Sequence, residues 1–237
     1  MHVNPAMTGI RRTLFGVVAL LVASQLSCKP ATAPVSTLLS ANAVDPNDVN
    51  AVSAFNSCQG HAYPEQNSPN SGKNYFWPNS TNFSSNNLLK EFAACAGNLA
   101  QSSQDKSADQ QDRGQTIHLY CDNSSTRLKY FHVTFSQSIL GTHVHAGDFI
   151  GYGSTLGTGQ ARSTSWKFSS NIDIAVSEEN DDRTEDYFSR LDGPTFAAWG
   201  ARGVTSLSQT TRAGNVTCSG YNASTGPPDI VFFTPER

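Results

Sequence analysis

The sequence predicts a mainly β protein with an antiparallel sheet core, and short helices in its C-terminal part only. Short runs rich in β-branched and aromatic residues recur along the chain. Apolar and polar residues alternate at 117–120 and 128–131, which is typical of half-buried antiparallel strands. Six glycines between 141 and 159 favour tight turns. The predicted strands are 89–95, 116–121, 127–134, 143–152 and 171–176.

Helical patterns occur in two C-terminal segments. Residues 184–191 place Tyr187, Phe188 and Leu191 on one helical face, and residues 195–202 do the same for Phe196 and Trp199. Gly203 is expected to cap the second helix. The polar stretch 101–114 is expected to be a surface loop that separates two strands.

The N-terminus predicts export. Arg11 and Arg12 precede an apolar run at 14–23, and small residues follow it, which is the pattern of a cleavable secretion signal over 1–28. The run is shorter than the roughly 20 residues that a membrane-spanning helix needs. Cys28 follows Gln25, Leu26 and Ser27 in a sequence that resembles a bacterial lipobox, so we expect Cys28 to be lipidated, with plain cleavage as the alternative.

The remainder divides into three parts. Residues 29–54 are rich in Ala, Pro, Ser and Asn and predict a flexible tether. Residues 55–180 are expected to form the β core, and 181–237 a C-terminal extension packed on it. The chain carries a net charge of -3 with 15% charged residues, so it lacks the basic surface that a nucleic acid partner requires.

Four cysteines remain after Cys28. An even number in an oxidising compartment predicts two disulfides, and three pairings are possible. A metal cluster is disfavoured because none of the four has a close C-x-x-C partner. These cysteines are Cys58, Cys95, Cys121 and Cys218.

The central block 127–154 carries a family resemblance. It contains a strand that ends in aromatic-x-His at His132, and then the sequence VHAGDFIG at 144–151. The block resembles the lysostaphin-like (LytM-type) zinc endopeptidases of bacterial cell walls, which have the duplicated hybrid motif fold, and the resemblance extends over about 57–176. The hairpin motif also occurs in biotinyl and lipoyl carriers, but no lysine here occupies the position of their acceptor.

The resemblance implies a set of site residues. His61 and Glu65 fall on the first metal-binding motif, with Glu in place of Asp, and Asp173 falls on the third metal ligand, which is a histidine in active members. His132 and Asn171 fall on the two positions that serve the chemistry, of which Asn171 replaces a histidine. A metal at His61, Glu65 and Asp173 would therefore have one imidazole and two carboxylates as ligands.

These substitutions argue against efficient catalysis. Asn171 cannot transfer a proton near neutral pH, and the loss of one proton-transfer group costs about 10²–10⁴ in rate. One imidazole with two carboxylates suits harder ions than zinc. We therefore expect either no cofactor or one divalent metal ion, with zinc as one possibility.

Several of these residues also have purely structural interpretations. His61 lies near Cys58 and His132 lies on an apolar strand, so both suit hydrogen-bonded structural roles. His143 and His145 are expected at the surface. The aromatic residues at 75–77 are able to stack on sugar rings, although such clusters more often close a core.

Three functions are compatible with the sequence. The first is an exported periplasmic or cell-surface protein, attached to the membrane only through a lipid anchor, whose non-catalytic domain binds peptidoglycan or an envelope protein. The second is an active metal-dependent endopeptidase that cleaves peptidoglycan peptides with altered ligands. The third is a purely structural envelope lipoprotein. Convergence of His61, Glu65, His132 and Asp173 in a groove would favour the second.

Overall fold

The computed structural model describes residues 38–58, 72–78, 89–102, 114–153, 172–178, 181–212 and 230–233, which all belong to one compact unit. The dominant element is an antiparallel sheet, so the predicted fold class is confirmed. Its strands are β1 (Val49–Ser53), β2 (Asn74–Pro78), β3 (Leu89–Phe92), β4 (Gly97–Gln101), β5 (Gln115–Cys121), β6 (Thr126–Thr134), β7 (His143–Val144), β8 (Phe149–Gly153), β9 (Ile172–Glu178), β10 (Asp181–Glu185) and β11 (Ile230–Phe232).

The strands are ordered β11-β1-β2-β9-β6-β5-β4-β7. Strand β10 pairs with β9 on the same edge as β2, but farther along the strand. Strand β8 pairs with both β3 and β6. The predicted strand 143–152 is divided into β7 and β8 by a turn in which Gly147 has a φ of 89°, a value that suits glycine. Two central strands, β6 and β9, lie side by side and carry the candidate site.

Strands β4 and β5 form the pair that the polar loop was expected to separate. Their register runs from Gly97 opposite Cys121 to Gln101 opposite Ile117. A disulfide joins Cys95 to Cys121 at the end of this pair opposite the connecting loop, which confirms one of the two predicted disulfides. Cys58 is also disulfide-bonded, whereas Cys28 and Cys218 lie outside the described residues.

Residues 38–54 were predicted to be part of a flexible tether over 29–54, but in the structure they belong to the folded domain. Leu39, Val44 and all of β1 are buried. The backbone of Leu39 bridges to Leu191, and that of Val44 bridges to Glu91. The segment lacks a regular apolar period because isolated bridges and one short strand, rather than one long element, hold it in place. The folded part therefore begins before residue 55.

The predicted helix over 184–191 is also wrong. The chain stays extended through β10 and then forms a short 3-10 helix, Tyr187–Arg190. The Asp186 side chain starts this helix by accepting a hydrogen bond from the Phe188 backbone N–H. Tyr187 and Phe188 are both buried, so this short helix packs into the core.

The second predicted helix is confirmed with shifted ends, as α1 (Gly193–Gly200). A second short helix, α2 (Leu207–Thr210), follows. Helix α1 buries Trp199 in an aromatic cluster with Phe76, Phe188 and Phe233, so the C-terminal segment contributes to the core itself. Gly203 has a φ of 100° in the turn after α1. Among the described residues, no helix has the length and apolar character needed to cross a membrane.

Candidate functional site

The candidate site is centred on Asp173, in the middle of strand β9. Its neighbours on β9, Ile172 and Ile174, point into the apolar core, so alternation places Asp173 on the opposite face of the sheet. Asp173 pairs with Tyr75 of β2 on one side and with Phe131 of β6 on the other. Asp173 is only 1% exposed, and a carboxylate this deeply buried requires charged or hydrogen-bonded partners.

Lys73 is the first of these partners. It lies just before β2, and its Nζ is 2.5 Å from Oδ2 of Asp173. The lysine is 3% exposed, so both members of the ion pair are shielded from water. The same ammonium group lies 3.5 Å from the centre of the Phe131 ring, within the range of a cation–π interaction.

His132 is the second partner, and a strand irregularity brings it there. The register between β5 and β6 shifts between the pairs Ile117–Tyr130 and Gln115–Val133. His132 lies at this shift with a φ of 63°, which is uncommon for a residue other than glycine. Its Nε2 is 3.2 Å from Oδ1 of Asp173, and its side chain is 26% exposed. His132 is therefore the member of the cluster that reaches the protein surface.

The pKa of Asp173 reflects competing effects. Burial alone would raise the pKa, but the charge of Lys73 and the contact with His132 outweigh burial and hold it well below the usual range of an aspartate. Asp173 is therefore ionised at neutral pH. Its two carboxylate oxygens are in contact with two different basic side chains.

A second acidic residue is buried near this site. Glu91 on β3 is fully buried, and neither of its carboxyl oxygens has a hydrogen-bond partner among the described residues. Burial raises the pKa of Glu91 well above its usual value, and the negative charge of Asp173 raises it further. Burial and the charge of Asp173 therefore both favour the protonated form of Glu91, while Asp173 carries the negative charge.

This difference predicts a pH-dependent stability. In the unfolded chain Glu91 ionises near its ordinary pKa of 4.5, whereas the folded protein keeps the proton to higher pH. The free energy of unfolding should therefore fall as pH rises above that value, by up to about 1.4 kcal/mol per pH unit. The variant Glu91→Gln removes the ionisable group, so it should raise the free energy of unfolding at pH 8 and leave it nearly unchanged at pH 4. Urea unfolding at both pH values tests this.

In addition to these two pH values, the pH slope is compared between pH 7 and 8. Burial raises the pKa of Asp186 to about 6, so its similar contribution is nearly complete below this range. Asp173 is ionised in the folded and unfolded states throughout it. The control is Glu185→Gln, because the Glu185 side chain is 44% exposed. Equal pH slopes for Glu91→Gln and the unsubstituted protein would contradict the prediction.

The residues that the sequence singled out come together only in part. Asp173 and His132 are in contact as described, whereas His61, Glu65 and Asn171 lie outside the described residues. Within the described ranges, no group of three or more His, Cys, Asp or Glu side chains is arranged to hold a metal ion. Asp173 instead contacts the ammonium of Lys73, and the described residues therefore do not fit a zinc centre.

Sequence reasoning missed Lys73 and Glu91. Lys73 lies two residues before the aromatic run at 75–77, and a charge so close to an aromatic run is a signal that it requires a buried partner. Glu91 is the one acidic residue within the predicted strand 89–95, where its neighbours are mostly apolar. In both cases the signal was a charged residue in an otherwise buried pattern.

The remaining candidates have structural roles. The aromatic residues at 75–77 are buried, and Phe76 packs against Tyr187, as a core role requires. His143 and His145 are exposed, as expected, and Nε2 of His143 is 2.7 Å from Asp122 Oδ2.

Comparisons with known proteins give similarity in structure only. No protein-family model matches the sequence, and no curated protein matches it either. The chain is similar to the catalytic domain of the antimicrobial peptidase lysostaphin from Staphylococcus simulans, at 13% identity and a TM-score of 0.40, over 59% of this chain and 90% of that one. It is similar to a longer lysostaphin structure at 16% identity and a TM-score of 0.43, over 72% of this chain and 60% of that one.

Another similar structure is Csd3 from Helicobacter pylori, at 15% identity and a TM-score of 0.40, over 66% of this chain and 35% of that one. The chain therefore spans less than two thirds of the longer structures. These values concern the fold and assign no role to any residue. Similarity to lysostaphin-type structures is what the sequence resemblance predicted.

Proposed function

We propose that this protein is an exported cell-envelope protein in which a lysostaphin-like domain binds peptidoglycan without cleaving it. The observation that carries the proposal is the contact of Asp173 with both Lys73 and His132. Asp173 is the position at which the family resemblance expects a metal ligand. In this structure its carboxylate instead contacts two side chains of the same chain.

The chemistry of hydrolysis supports a non-catalytic role. A metal-dependent peptidase needs protein ligands that leave one metal position open for water, and a nearby group that transfers a proton. Asp173 has an ammonium group on one oxygen and an imidazole on the other. Nε2 of His132 lies 3.2 Å from this carboxylate, so this nitrogen contacts a group of the protein itself.

Ligand binding at this site would involve His132. His132 is the partly exposed member of a cluster that is otherwise buried, and it lies at the bulge in β6. Peptidoglycan is the proposed ligand because the sequence resembles cell-wall peptidases in this block. An envelope protein partner is the alternative outcome of the test below.

Export is part of the same proposal. The predicted signal over 1–28 and lipidation at Cys28 would place the domain in the periplasm or at the cell surface. The disulfide between Cys95 and Cys121 supports this placement, because such bonds persist in oxidising compartments.

Sedimentation with purified peptidoglycan sacculi tests the proposal. The exported, processed protein should sediment with sacculi, and His132→Ala should reduce the bound fraction several-fold. The control Lys90→Ala alters an exposed residue next to Glu91 and should bind normally. The supernatant should contain no released peptides by mass spectrometry.

Three results would contradict the proposal. Release of cross-bridge peptides, together with stoichiometric metal that disappears in His61→Ala, would identify a metallopeptidase. Capture of an envelope protein in place of sacculi would identify a protein-binding role. Absence of both ligands would leave a structural lipoprotein.

A further inference from the structure

We infer that Lys73 replaces the metal ion of this site, so that its ammonium group is the permanent cation held by Asp173. The inference deepens the proposed function, on which it rests, by stating why the site operates without a metal. It is carried by the geometry of Lys73, Asp173, His132 and Phe131.

The first step concerns the burial of Asp173. Its side chain is 1% exposed, and a carboxylate this deeply buried requires a charged or hydrogen-bonded partner in direct contact. The Lys73 Nζ provides one at 2.5 Å from within the same chain. Separation of such a buried pair leaves both charges unpaired at a large cost, so the contact is maintained in the folded state.

The second step concerns competition with a metal ion. An incoming cation at Oδ2 would have to displace the ammonium, and Oδ1 already lies 3.2 Å from His132 Nε2. The Phe131 ring centre is 3.5 Å from Nζ and supports the ammonium there. A displaced ammonium would lose both the carboxylate and the ring, so metal binding is opposed by two favourable contacts.

The third step concerns which single change would restore a metal site. Replacing Lys73 by histidine would place two imidazoles and one carboxylate in this cluster, from positions 73, 132 and 173. Two imidazoles and one carboxylate are a ligand set used by catalytic zinc sites. If the inference is right, the variant Lys73→His should therefore gain the ability to bind zinc.

Thermal unfolding of the processed protein with zinc chloride or with EDTA tests this. The unsubstituted protein should have the same Tm under both conditions. Zinc at about a hundredfold excess over its dissociation constant should raise the Tm of Lys73→His by roughly 5–10 °C. The matched control Lys90→His adds an imidazole at an exposed lysine and should give no rise. Adding Asp173→Asn to Lys73→His should abolish the rise.

Two outcomes would overturn the inference. One is a zinc-dependent rise in the Tm of the unsubstituted protein. The other is a folded Lys73→His variant whose zinc response equals that of Lys90→His. Should Lys73→His fail to fold, the unsubstituted protein decides alone, because its insensitivity to zinc and EDTA supports the inference and a rise contradicts it.

These results are separable from those of the proposed function. Failure of the protein to sediment with sacculi would contradict peptidoglycan as the ligand, and it would not affect the zinc experiment. A zinc-dependent rise in the Tm of the unsubstituted protein would contradict the inference that Lys73 takes the place of a metal ion, even if the protein sediments with sacculi.

Discussion

Replacing Lys73 by methionine is expected to lower the free energy of unfolding by about 3–5 kcal/mol. Methionine keeps most of the side-chain length but removes the charge, so the ionised Asp173 would remain buried beside an apolar group. The 26% exposed His132 would be the one partner described here that stays in contact with it. Urea unfolding monitored by tryptophan fluorescence measures the loss.

Two further variants make this result specific. Lys90→Met carries the same substitution at an exposed lysine on β3 and should change the free energy of unfolding by less than about 0.5 kcal/mol. The double variant Lys73→Met with Asp173→Leu removes both charges and should recover most of the loss, because apolar pairs of similar volume often replace buried ion pairs without cost. A loss under about 1 kcal/mol in Lys73→Met would show that the pair is not buried as described.

Replacing Gly97 by alanine should lower the free energy of unfolding by more than about 4 kcal/mol or prevent folding. A Cβ atom at this position would lie 2.0 Å from the backbone carbonyl oxygen of Tyr120 on the neighbouring strand. Backbone cannot rotate away as a side chain does, and the Cys95–Cys121 disulfide holds the two strands together at this end. Thermal unfolding and the yield of soluble protein measure the effect.

Gly200 provides the matched control for this substitution. It is the last residue of α1, and a Cβ atom built there meets nothing within 4 Å. Gly200→Ala should therefore leave stability unchanged or raise it by up to about 1 kcal/mol, because alanine favours helix over glycine. Similar Tm values for Gly97→Ala and Gly200→Ala would refute the close approach of β4 and β5.

The sequence predicted those strands whose own residues alternate or form long apolar runs. Strands β5, β6 and β9 are of this kind, and all three were found. Strands β1, β4 and β11 are three to five residues long, and their pairing with distant strands, rather than their composition, makes them strands. The residues at 187–188 suited either a helix or a tight turn, and the Asp186 side chain that accepts from the Phe188 N–H is able to start either one.

The candidate site was predictable in part for a similar reason. His132 and Asp173 lie in a block that resembles a known family, so motif positions identified them. The partner of Asp173 is 100 residues away in sequence, and no spacing rule connects Lys73 to it. The bulge that turns His132 toward Asp173 depends on the register between two strands, which the sequence of one strand does not determine.

The burial of Leu39 limits how far the domain could move from a membrane. With lipid attached at Cys28, only residues 29–37, nine residues, would separate the anchor from Leu38, the first described residue. A fully extended chain of that length reaches at most about 35 Å. The tether would then be short, and the point at which the folded domain begins would stay within that distance of the bilayer surface.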